Sequence, residues 1–153
     1  MGIHRPMDSR TGLPGKDAVL AACRGFPPIE DIALLDAADE LAALHQTREH
    51  TPLCALEQTD WHHARLMCDI DEWVVSVTPI PFPGARVHTH TMGQVIDRLA
   101  HATVQTYIAL AAAPDAFFHE ASVQLADLGD AYQDLADELE QRTRRLPEIT
   151  IPC

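Results

Sequence analysis

Along most of this chain apolar residues return every three or four positions, the period of an α-helix seen from one side. In the segment from Pro28 to about His50, Leu34, Ala38, Leu41, Leu44 and His45 share a face, with Asp36, Glu40 and Thr47 opposite. Pro28, Glu30 and Asp31 suit a first helical turn, and Thr51-Pro52 should stop the helix. The stretch from about Cys54 to Val77 carries Leu56, His63, Leu66, Met67, Ile70, Trp73, Val74 and Val77 on one stripe. Trp61, Ala64, Cys68 and Val75 add a weaker apolar strip on the far side. Two such strips predict a helix that is either central in the domain or part of a subunit interface.

Three further elements follow from the same pattern. Asp17–Arg24 reads as a short helix closed by Gly25 and Pro27-Pro28. Thr91-Met92-Gly93-Gln94 fits a capping box, and the helix after it should run to about Ala113. Its inward set is Met92, Val95, Ile96, Leu99, Thr103, Thr106 and Leu110; Gln94, Asp97, Arg98, His101 and Gln105 should face water. From Asp115 to about Arg145, Ala121, Leu125, Leu128, Tyr132, Leu135 and Leu139 give the clearest stripe, with Gly129 a mild flaw and Leu146-Pro147 the stop. The proline-rich connection Pro79–Val87 is predicted as loop, its Ile80, Phe82 and Val87 packing over the helices. The expected fold is all-α: an antiparallel bundle of four long helices with a short N-terminal helix. Residues 1–16 read as a flexible arm, 17–147 as the bundle domain and 148–153 as a tail.

Composition narrows the partners. The 153 residues carry 11 Lys+Arg against 23 Asp+Glu, a formal net charge of −12. Such a chain repels a phosphate backbone, so nucleic acid is not an expected partner. No apolar run is long enough to span a bilayer, and no secretory h-region is seen, so the expectation is a cytoplasmic protein with no membrane partner. Cys23, Cys54, Cys68 and Cys153 form no CxxC pair, and reduced thiols are expected.

Nine histidines are the most distinctive chemical feature. His45 and His63 lie on the apolar stripes of successive helices and could meet inside the bundle, where each needs a hydrogen-bond partner or a metal. No Glu-x-x-His occurs, which disfavours a di-iron carboxylate site. Asp97 and His101 read as a solvated i,i+4 pair, and His62 with Asp69 as a rim pair. In Val87-His88-Thr89-His90-Thr91-Met92-Gly93, capping accounts for the threonines but not for both histidines. A ligand site is therefore placed at His88, His90, Gly93, Asp97 and Arg98, with His63. No nucleophile elbow, P-loop or GxGxxG is present, so no cofactor is expected.

The run VHTHTMGQVIDRLAHATVQTY, preceded by DIDEWV and followed by DLGDAYQDLADELEQRTRRLP, resembles the actinobacterial branch of the uncharacterised family catalogued as domain of unknown function 4254. The likeness spans roughly Leu41 to Pro147. The family's His-Thr-Glu-Thr run is matched except at His90, where an acid is usual. The resemblance implies an all-helical fold and brings no activity. It also implies a bracing role for the Asp97–Arg98 pair. On these grounds the leading expectation is a binding or assembly module forming a homodimer. A small-molecule binder or enzyme with a His-rich pocket is the alternative, and a metal-binding bundle the third.

Overall fold

Each predicted helical segment forms a helix, and local chemistry sets most of the limits. The computed structural model describes residues 12–50, 56–112 and 114–148. Its elements are α1 (Lys16–Cys23), α2 (Ala33–Arg48), α3 (Leu56–Val77), β1 (Arg86–Val87), α4 (Met92–Ala112), α5 (Asp115–Glu140) and β2 (Arg144–Arg145). The all-α expectation holds. The stop at Thr51-Pro52, most of the arm and the last five residues of the tail lie outside the described residues.

Gly25 closes α1 at φ 82°, with the Phe26 amide reaching back to the Ala21 carbonyl. α2 begins later than its sequence suggests. Ile32 is extended at its start, Leu34 is the first fully buried residue, and Ile29 is entirely solvated. Residues 28–31 have the composition of a first turn but no core to lie on. The capping box at α4 is complete: Thr91 Oγ1 accepts the Gln94 amide at 3.2 Å, and Gln94 Oε1 accepts the Thr91 amide at 2.9 Å.

α5 ends at Glu140, short of the predicted Arg145. Arg142 takes a left-handed conformation (φ 66°), the Thr143 amide bonds the Glu138 carbonyl and the Arg142 amide bonds that of Leu139. This is a Schellman closure with arginine in the place glycine usually takes. The two arginines after it form β2, which pairs in parallel with β1, Arg86 opposite Arg144 and Val87 opposite Arg145. The connection before α4 thus holds a short strand where a plain loop was predicted. Nor does it pack over the helices: Ile80, Phe82 and Val87 are exposed. Arg142 holds it instead, donating from Nε to the Ile80 carbonyl at 2.6 Å and lying 4.3 Å over the Phe82 ring.

α4 is the central element. It packs against α1, α2, α3 and α5, whereas α3 and α5 do not meet. Central position had been one of the two readings of α3; the second apolar strip of α3 in fact faces outward, with Trp61 72% and Val75 74% exposed. α4 shows what centrality requires, since Met92, Gly93, Ile96, Leu99, Ala100, Thr103 and Val104 are all buried. Leu110, expected inside, is exposed near its far end. α1 is also a core member, with Val19, Ala22 and Cys23 buried. Gly129 makes room for it: a Cβ there would sit 3.2 Å from Leu20. Residues 12–15, assigned to the arm, lie against α5, where Tyr132 donates its hydroxyl proton to the Pro14 carbonyl at 2.7 Å.

Candidate metal centre

Three helices each bring one polar side chain to a common point beside α4. Leu41 and Ala42 bury the face of α2 that ends at His45, and Leu66 and Ile70 bury the stripe of α3 that begins at His63. The two imidazoles meet at 5.4 Å between centroids, close to edge-on. Between them stands Asp97 of α4. His45 Nε2 and His63 Nε2 each lie 2.6 Å from the same oxygen, Asp97 Oδ1. The three side chains are mostly covered, at 12%, 17% and 21% exposure. The expectation that His45 and His63 approach inside the molecule is met, and the site residue Asp97 joins His63 there. Asp97 was expected on the water-facing side of its helix and is turned inward.

A wider shell surrounds this cluster. His101, one turn beyond Asp97, lies with its ring 4.8 Å from that of His45. Gln105 reaches His101 Nε2 at 3.4 Å and donates to Glu49 at 3.0 Å. His62 faces Glu40 at 3.6 Å rather than Asp69, which pairs with Arg65 at 3.3 Å. Burial pushes the Asp97 carboxyl upward, but hydrogen bonds from His45 and His63 outweigh it and hold the group well below the ordinary carboxylate value. Burial, followed by the charge of His45, lowers the His101 imidazole.

One side chain of a different kind fixes how α4 meets α3. Asp71 is 8% exposed and accepts the Gly93 amide at 2.6 Å. Burial raises its carboxyl, while bonds from Gly93 and the Thr91 side chain act the other way. The closeness of this contact is what Gly93 permits, because a Cβ there would lie 2.4 Å from the Met67 carbonyl oxygen. The approach at Gly93 is thus that of α3.

The remaining site residues lie elsewhere. Arg98 is one position, about 100° around the helix, from Asp97, so the pair does not act on one face. With His88 and His90, Arg98 lines a small cavity of about 150 Å³ against α5. The predicted set therefore divides into His63 and Asp97 on one side of α4, Gly93 at the α3 contact, and His88, His90 and Arg98 on the other side. His45 and His101 were outside it. A signal for Asp97 was present: Gly93, Asp97, Ala100 and Val104 are spaced four, three and four apart, a helical face whose small residues conceal it from a search for large apolar ones.

Two imidazole nitrogens and one carboxylate oxygen, all within 4.8 Å of one another, can together hold a metal ion. Nitrogen with oxygen suits a first-row divalent metal such as zinc, iron(II) or nickel, and three protein ligands leave positions open for water or substrate. Among the described residues a cysteine ligand is not at hand: Cys68 is disulfide-bonded, against the expected reduced thiols, and Cys23 is buried with its thiol raised to about 12 by desolvation. No helix is long and apolar enough to cross a membrane among the described residues.

No curated protein and no solved structure matches the chain. A model of the family described as "Protein of unknown function (DUF4254)" matches residues 31–147.

Proposed function

We infer the function from the site alone, because this chain belongs to the DUF4254 family, whose description assigns none: it is a helical module that binds one first-row divalent cation through His45, His63 and Asp97. The observation carrying this reading is the convergence of three ligand atoms, from three helices, on one point. Asp97 is kept ionised, as a metal ligand must be. The chain's net charge of −12 favours accumulation of a cation, and Glu40 and Glu49 stand in the wider shell. A metal would take the place of the contacts that His45 Nε2 and His63 Nε2 make with Asp97, and binding weakens in acid, where protons compete for the ligand atoms.

The test is calorimetric titration of chelator-treated protein with zinc, cobalt(II) and nickel. One equivalent is expected, with Asp97→Ala and His63→Ala each weakening binding by at least about tenfold, the lower bound for losing even an outer-shell partner. Saturating metal at 100 times Kd should add about 2.7 kcal/mol of stability. Absence of stoichiometric uptake of all three ions by protein that is helical by circular dichroism defeats this reading.

A homodimer is the second reading, and α3 favours it. Trp61 and Val75 are large, apolar and exposed on its outer strip, with Ala64 exposed between them. A dimer through this strip would be seen by light scattering across a dilution series and would lose stability on Trp61→Ser. A strict monomer at high concentration sets it aside.

A further inference from the structure

The chain is strongly acidic, yet arginines cluster beside the start of α4, one of them, Arg144, paired with Glu138 at 2.7 Å. Arg86 and Arg144 face each other across the β1–β2 pair, with Arg145 beside Val87. The His88 amide bonds the Arg145 carbonyl at 2.8 Å, which sets the His88–His90 turn next to them. Arg98 projects from α4 into the same region and, among the described residues, has no carboxylate within ion-pair reach. The cavity between this turn, α4 and α5 has a basic rim of His88, His90 and Arg98, with Gln94. Its floor is apolar, made by Leu99, Leu128, Leu135 and the ring of Tyr132, whose hydroxyl is committed to Pro14.

Local contacts orient the two histidines. The His90 amide donates to His88 Nδ1 at 3.1 Å. The His90 carbonyl lies 3.0 Å from the same nitrogen, so His90 holds the ring through Nδ1 whichever ring nitrogen carries the proton. Thr89 Oγ1 lies 2.8 Å from His90 Nδ1, as donor or acceptor according to the ring's tautomer. Both rings are thus engaged locally through Nδ1, which leaves each Nε2 to meet an occupant and, when it carries the proton, to donate to an acceptor. The helix supplies little itself, since the Gly93 amide is taken by Asp71 and that of Gln94 by Thr91.

We propose that this cavity binds a small organic carboxylate, its anionic end held by Arg98 with His88 and His90, its apolar body on the leucine and Tyr132 floor. A guanidinium matches a carboxylate through two parallel N–H bonds, which a lysine cannot reproduce. A volume of about 150 Å³ is on the scale of a single six-membered ring. The site is on the opposite side of α4 from the metal centre and is independent of it.

The test is an NMR titration of the full chain in chelator with benzoate, benzamide and inorganic phosphate. Benzoate should give saturable shifts at His88, His90 and Tyr132. Arg98→Gln should weaken it about tenfold or more, the loss of one charge-assisted contact, with unchanged melting temperature because Arg98 is exposed. Arg98→Lys should recover only part of the affinity. His63→Ala, which removes a metal ligand, should leave benzoate binding intact, so the two readings fail separately. Benzamide binding as tightly as benzoate, phosphate doing so, or an unaffected Arg98→Gln variant would each overturn the proposal.

Discussion

At Asp97, burial and hydrogen bonding pull in opposite directions. Desolvation alone would raise its carboxyl; two imidazole contacts at 2.6 Å hold it down. A carboxyl lowered on folding stabilises the folded state above its unfolded value, near 3.8, and that contribution is lost as pH falls through the lower folded value. Asp71 has the contrary sign: its raised carboxyl makes a contribution that is complete below 3.8 and lost as pH rises through its folded value. We therefore expect Asp97→Asn to cost about 2 kcal/mol at neutral pH, the scale of a hydrogen bond to a charged group. The cost should shrink below pH 4, read from urea midpoints across pH in chelator. An equal cost at pH 7 and in strong acid would show that the charge of Asp97 is not what stabilises the cluster.

Between elements, the contact that governs the site is the crossing of α3 and α4. Gly93 lets the α4 backbone approach Met67, and that approach sets His63 at Asp97, one turn back along α3 and one turn on along α4. Gly93→Ala would gain up to about 1 kcal/mol in helix propensity. It would also push a Cβ onto a backbone carbonyl, which cannot rotate away. The expected net effect is a loss of about 1–2 kcal/mol, seen in chemical denaturation, with a weaker metal site. A stabilised variant would mean that α3 and α4 separate at little cost. Periodicity located both helices to within a few residues, and the Thr91–Gln94 box marked the start of α4. The end of α5 was less legible, because an arginine in a left-handed conformation carries none of the usual markings of a helix stop.

Across the whole molecule, α4 gathers α1, α2, α3 and α5 around itself, and the β1–β2 pair ties the connection before α4 to the segment after α5. This arrangement separates two chemistries. The side of α4 facing α2 and α3 carries the acidic-and-imidazole cluster, while the side facing α5 carries the arginine-and-imidazole rim. His45, His63 and His101 thus stand in one group and His88 and His90 in another, which the number of histidines alone could not say.

Helix content, the identity of most core residues and the capping at α4 follow from interactions spanning about four residues, so they are written locally and can be read one segment at a time. The metal cluster is not local. His45 and His63 stand 52 and 34 residues from Asp97, and a carboxylate that looks solvated on an isolated helix becomes covered once two other helices close over it. Which faces of α4 meet a neighbour, and hence which polar residues share a site, depends on how distant segments pack, and only the folded chain settles that.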